Sequence, residues 1–380
     1  MDWLPCSSHQ MQLCINKALE AAPSASLLIG RCQKISNIFR NFRAADEALK
    51  AAMKSLQHKP LKMQTATVTR WNSKYYMAKR VSDLMPAVDI AFRCLSLGTT
   101  TEERRRTSEL RPLLFSEEEL KELKEVIGVL DPLCAFTHWA TVVQHPTLPR
   151  LYPKILEILA APCTETTETA KQLRASIEEH IKSTWHLQNP PDIALLAMFF
   201  NPACICHPIM QDSSLSDGIT VLEKGKELAR KVVRTLMEEK EKVKSGQSTF
   251  TKTAIATIEL LSVLAVNVYE AQSKDNRTDL IAHADDPGKY WSMLPEGIET
   301  SNIKEVARWY LCIQATSAES ERLFSKAGQV LSERKTNTSD RVFRDMVFYS
   351  SFKKTLKLLR LEMGGGDRSV KASTRLHLSV

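Results

Sequence analysis

The chain has 380 residues, of which 43% are apolar and 25% charged, with 12 glycines and 16 prolines. That composition excludes a disordered or collagen-like chain, and the scarcity of glycine disfavours an α/β nucleotide-binding fold, whose turns and phosphate loops need it. The formal net charge of +8 is compatible with nucleic-acid contact without requiring it.

Nine cysteines, an odd number with no apolar leader ahead of them, read as free thiols of a reducing compartment. No run of about 18 apolar residues is evident, so no membrane span is expected.

In chain order, Met11, Leu13, Cys14, Ile15, Ala18 and Leu19 carry a helical pattern that starts abruptly after Cys6-Ser7-Ser8-His9. A domain seldom begins mid-element, so further sequence upstream is expected. Helix continues over Ile35–Leu56. Gln64-Thr65-Ala66-Thr67-Val68-Thr69 alternates β-branched and small residues and reads as a strand. Arg70-Trp71-Asn72-Ser73 opens the next helix.

From about residue 90 to 285 helical periodicity dominates. Ser116 followed by Glu117, Glu118 and Glu119 is a helix start with acids at the positive end of the dipole. Leu120, Leu123, Val126, Ile127 and Leu130 form its apolar stripe, and Asp131-Pro132 is expected to end it. Leu151–Leu159 and Thr253–Val268 read as apolar helices, Glu223–Lys244 as a charged, solvent-facing helix, and Gln272–Pro287 as a polar surface loop.

In the last organised stretch, Ile303, Val306, Ala307 and Tyr310 share a helix face. Thr316-Ser317-Ala318-Glu319 fits a capping box. Its helix presents Leu323, Phe324, Ala327, Val330 and Leu331. Thr338 or Ser339 caps a third helix with Val342, Phe343, Met346 and Val347 inward. Residues 353–380 form a basic tail made flexible by Gly364-Gly365-Gly366.

Ile313-Gln314-Ala315-Thr316-Ser317-Ala318-Glu319-Ser320-Glu321-Arg322-Leu323-Phe324-Ser325-Lys326-Ala327-Gly328 resembles the signature of the hAT transposase C-terminal dimerisation region. Lys289-Tyr290-Trp291 resembles its tryptophan-bearing lead-in, Glu305–Leu311 the helix before the signature, and Arg334 with the Ser339–Phe348 helix its closing elements. Two shorter matches occur in family order: Cys6 and His9 resemble a C-x-x-H segment, and Arg70-Trp71 an R-W segment. The chain is similar to BED-type zinc-finger proteins and SUMO-ligase-like relatives descended from such transposases, without the BED finger itself.

The resemblance implies a mainly α protein with a small α/β part, the remnant of an RNase H-like fold interrupted by a large all-helical insertion. The expected division is 1–90 as a partial RNase H-like core segment, 91–285 as the helical insertion, 286–352 as the dimerisation region and 353–380 as the basic tail.

An RNase H-like transposase cuts DNA with two divalent metals about 3.5–4 Å apart, held by a carboxylate triad. The resemblance places the late glutamate at Glu321 and both aspartates upstream of the C-x-x-H segment, where Asp2 lies too close to Cys6 to serve. One carboxylate does not hold two metals against their hydration. Glu321 is therefore read as vestigial, and no catalytic residue, metal site or cofactor is expected.

Each motif residue has a plainer reading beside its family one. Ser320, Glu321 and Arg322 suit a helix N-terminal turn, Cys6 and His9 lie i, i+3 on one helix, and Trp71 is either a base-stacking platform or a packing residue. Cys204-Ile205-Cys206-His207 has the wrong spacing for a zinc finger.

The C-terminal helices carry more apolar surface than a helical hairpin hides. Trp309, Tyr310, Leu311, Leu323, Phe324, Ala327, Val330, Leu331, Phe343, Met346 and Val347 are the candidate dimerisation residues, with a second copy of the chain as partner. The expected function is a non-catalytic homodimerisation module in the nucleus that contacts DNA or chromatin, with no membrane or small-molecule partner. The alternatives are a truncated DNA transposase fragment and a SUMO-ligase-like transcription regulator.

Overall fold

Local sequence rules account for several helix starts. The computed structural model describes residues 4–67, 70–142, 146–187, 189–211, 219–246, 250–275, 287–294, 297–330, 339 and 341–348, and among these there is no strand. The first helices are α1 (Ser7–Ala21), α2 (Pro23–Asn41), α3 (Arg43–Ser55), α4 (Trp71–Ser96), α5 (Thr101–Leu110) and α6 (Glu117–Ala140). Then come α7 (Leu151–Leu159), α8 (Glu168–Thr184), α9 (Asp192–Phe200), the single turn α10 (Pro202–Ile205), α11 (Val221–Ser245) and α12 (Lys252–Asp275). Last are α13 (Pro287–Met293), α14 (Ile298–Leu311), α15 (Ala318–Val330) and α16 (341–348).

Ser116 caps α6 as its sequence demands: the Glu119 N–H donates to Ser116 Oγ at 3.2 Å, and the Ser116 N–H donates to Glu119 Oε2 at 2.9 Å. Thr100 and Glu103 repeat the device at α5. Gly246 ends α11 with φ +66°, the left-handed conformation that glycine adopts without steric cost, and its N–H donates to the Lys242 carbonyl.

Three sequence expectations fail for stated reasons. The expected strand over 64–69 is not seen in its described part: residues 64–67 have no regular secondary structure, while 68 and 69 lie outside the described residues. Ser36 Oγ instead donates to the Gln64 carbonyl and the Ala66 N–H to Gln33 Oε1 (3.1 Å), so α2 side chains satisfy that backbone. Residues 35–56 are not one helix, because Phe42 is extended and separates α2 from α3. Pro132 does not end α6; buried Leu133, Cys134, Phe136 and Ala140 continue the stripe beyond it, and their packing outweighs the lost backbone bond.

Two further expectations need correction at α11 and α12. Helix α11 is not solvent-facing all round, since Val221, Leu222, Gly225, Ala229, Val233 and Leu236 are buried. Helix α12 is long and apolar enough to cross a membrane by length and composition, and it runs to Asp275, into the expected loop. Ile258, Ser262, Ala265, Val266, Tyr269 and Ser273 on one of its faces are buried, and the helix packs on α11 and α14.

The chain divides into two compact units, Met1–Thr316 and Ser317–Val380. In the first, α1 packs on α8, α4 on α2, α3 and α6, and α9 on α11 and α14. One hydrophobic core runs from Met11 to Ala315, continuous across the boundaries expected near 90 and 285. The second unit contains α15 and α16; the tail from 353 lies outside the described residues.

An aromatic cluster fixes the C-terminal half of the first unit. Phe199, Phe200, Tyr269, Tyr290, Trp291 and Tyr310 pack together, with Tyr269 stacked on Trp291 at 4.6 Å and Phe200 on Tyr310 at 5.8 Å. The last carbonyls of a helix have no partner within it. At the end of α9 the Tyr269 hydroxyl donates to the Phe199 carbonyl and Trp291 Nε1 to the Phe200 carbonyl, both at 2.9 Å. Substituting Trp291→Phe keeps most of the ring and orphans that buried carbonyl, so it is expected to cost about 1–3 kcal/mol in denaturant unfolding.

A second clamp sits at Glu125. Its carboxylate accepts from the hydroxyls of Thr166 (2.6 Å) and Thr167 (2.7 Å) and from both of their backbone N–H groups. These bonds, the Thr166 hydroxyl foremost, hold the Glu125 carboxyl at about 2, below its usual 4.5. A carboxyl depressed by folding stabilises the protein above its ordinary value, and that contribution is lost as pH falls toward about 2. The gap in melting temperature between the native chain and Glu125→Gln is therefore expected to be full at pH 7 and to close progressively below about 4.5.

Candidate dimerisation surface

The C-terminal candidates divide between the two units. Helix α14 presents Ile303, Val306 and Ala307 to the core, all buried. Leu311 is buried too, at 6% exposure, so it belongs to the intramolecular core and not to a surface. Tyr310 is half-buried on Phe200. Trp309 is 45% exposed and lines an open groove of about 470 Å³ with Ile193, Leu196, Val232, Leu236 and Tyr310.

Beyond Leu311 the chain leaves the helix and is tied down by distant partners. The Leu148 N–H donates to the Ile313 carbonyl at 3.3 Å, and the Ser7 N–H to the Ala315 carbonyl at 2.9 Å. The buried Thr147 hydroxyl accepts from the Ala315 N–H at 2.9 Å and lies 3.0 Å from Gln314 Oε1. The Thr316 hydroxyl donates to the Ala140 carbonyl at 3.1 Å. The first residues of the signature thus meet the start of α1, next to Cys6.

Helix α15 begins at Ala318, one residue beyond the start that a Thr316 cap sets. Glu319 pairs with Arg322, and the Ser317 hydroxyl donates to Glu321 Oε1 at 2.7 Å. Ser320, Glu321 and Arg322 are exposed. Leu323 and Phe324 are also exposed, Phe324 at 72%, while Ala327 is half-buried. The Val330 side chain and Leu331 lie outside the described residues.

Ser339 precedes α16 as expected: the Phe343 N–H donates to its carbonyl at 2.9 Å. Val342, Met346 and Phe348 are exposed, however, and Phe343 and Val347 half-buried, so the expected inward face is only partly covered. Thr338 and Arg334 lie outside the described residues.

The remaining motif residues are dispersed. Cys6 is half-buried at the N-cap of α1 and His9 is exposed. Arg70 is exposed at the N-cap of α4. Trp71 is 4% exposed and packs near Tyr75, with its indole N–H buried. In the Cys204–His207 turn, the buried Cys204 thiol donates to the Pro149 carbonyl at 3.3 Å, and burial pushes it up to about 12. Among the described residues no three His, Cys, Asp or Glu side chains cluster as metal ligands would.

Sequence reasoning missed one surface cluster. Tyr76 and His138 hydrogen-bond across α4 and α6, with the Cys134 thiol 3.3 Å from the Tyr76 hydroxyl. The partners lie on different helices, and only the α4–α6 contact brings them together.

Thr147 offers a test of how the first residues of the signature are anchored. Substituting Thr147→Val leaves the buried Ala315 N–H without its acceptor. The expected cost is about 1–3 kcal/mol, with the Ala315 amide exchanging with deuterium faster than in the native chain.

No curated protein matches the chain. Residues 266–351, from within α12 to just past α16, match the family model described as the hAT family C-terminal dimerisation region, which ties this part of the chain to the hAT family and to self-association.

Proposed function

We propose that this chain is a domesticated, hAT transposase-derived protein that acts as a non-catalytic homodimer in the nucleus, in contact with DNA or chromatin. One observation carries the reading: in the segment matched to a dimerisation region, Leu323, Phe324, Val342, Met346 and Phe348 are all exposed. An exposed apolar surface of that kind on a soluble chain marks an interaction site, and a two-fold pair is the commonest cover.

The non-catalytic part of the reading is supported by the setting of Glu321. It is exposed in the first turn of α15 and accepts from the Ser317 hydroxyl, a helix-start role that needs no metal. The RNase H-like ancestry proposed for residues 1–90 rests on the C-x-x-H and R-W motifs.

Light scattering of the full chain at micromolar concentration is expected to give twice the 42.9 kDa chain mass. The double variant Leu323→Lys, Phe324→Lys places two charges in the interface and is expected to return the chain mass. A native chain that runs as a monomer overturns the dimer. Strand scission of supercoiled DNA by the native chain with magnesium or manganese, lost in Glu321→Gln, overturns the non-catalytic reading.

A further inference from the structure

Helix α12 is half covered. Its buried face (Ile258, Ser262, Ala265, Val266, Tyr269) turns the opposite face outward. There Leu260 is 69% and Leu264 41% exposed, with Ala256, Asn267 and Ala271 exposed on the same stripe.

The stripe is self-complementary when run against itself. Antiparallel pairing that sets Lys252 opposite Asp275 also sets Ala256 opposite Ala271 and Leu260 opposite Asn267, with Val263 and Leu264 at the two-fold axis. The leucines then fill the middle, where the crossing helices lie closest, and alanines meet toward both ends. Lys252 and Asp275 are both exposed, and in this register each meets its opposite charge. The antiparallel arrangement also sets the positive end of each helix dipole beside the negative end of the other.

We propose that α12 forms a seam with α12 of a second copy, antiparallel about an axis beside Leu264. This rests on the homodimer reading and adds to it a contact face outside α14–α16. The segment matched to the dimerisation region begins within this same helix, at residue 266, so the seam runs directly into it. A bilayer is the competing occupant, because α12 has the length and apolarity to span one. Insertion, however, would tear the Tyr269 hydroxyl from the Phe199 carbonyl and expose the aromatic cluster.

The test is cross-linking in the full chain, with exposed Cys94, Cys163 and Cys312 replaced by serine and Leu264→Cys added. A short bismaleimide is expected to convert most of the chain to covalent dimer. The control Leu97→Cys, at an 84% exposed site on the far end of α4, is expected to stay monomeric. If the native chain is a dimer by light scattering but Leu264→Cys does not cross-link, the seam is overturned while the homodimer stands. A native chain of monomer mass overturns both. Protection of Leu264→Cys from maleimide by vesicles with anionic headgroups, without cross-linking, assigns the face to a membrane and also overturns the seam.

Discussion

The structure depends on how the end of α9 is closed. Phe199 and Phe200 are fully buried, so their carbonyls have no water to turn to, and an unmet carbonyl there would cost about 1–3 kcal/mol. Tyr269 from α12 and Trp291 from α13 supply the two donors. Both rings are amphipathic: each fills core volume with its body and reaches a backbone oxygen with its polar tip. These bonds fix the rotation of α12 about its own axis. With Tyr269 inward, Leu260 and Leu264 must face out. What α12 shows to solvent therefore follows from what α9 needs inside.

A second constraint acts on the connection to the C-terminal helices. Residues 313–316 have no helix of their own and bond to Leu148, Thr147, Ser7 and Ala140. Those partners come from the start of α1, the end of α6 and the turn before α7. The N-terminal motif and the C-terminal signature, some three hundred positions apart in sequence, are thus joined by a backbone hydrogen bond from Ser7 to Ala315. In the second unit, among the described residues, Leu323, Phe324, Val342, Met346 and Phe348 are exposed. The two exposed faces, one on α12 just ahead of and running into the family-matched segment and one on α15–α16 within it, share one physical demand, a second surface to remove them from water.

How much of this was legible in the sequence depended on whether the cause was local. The cap of α6 at Ser116, the start of α4 at Trp71 and the α14 face of Ile303, Val306 and Ala307 are written in adjacent residues and were readable. The break at Phe42 was not, because the apolar period passes through it and no glycine or proline marks it. Pro132 gave the opposite error: a strong local stop signal was outweighed by packing on both sides of it. The described part of the β-prone run, 64–67, has no partner strand among the described residues, and α2 side chains bond to Gln64 and Ala66 instead. The dimerisation region was recognised from its signature, but its beginning at residue 266 was not, since α12 reads as one uniform apolar helix whose two faces only Tyr269 and Trp291 distinguish.

The central claim is that a second copy covers apolar side chains that a single chain leaves in water. Hydroxyl-radical footprinting across a dilution series reads this directly, because oxidation reports the solvent access of individual side chains. The account predicts that labelling of Leu260, Leu264, Leu323 and Phe324 falls together as concentration rises from nanomolar to micromolar, while exposed Leu97 on α4 stays constant. Labelling of those four residues that is independent of concentration would contradict it.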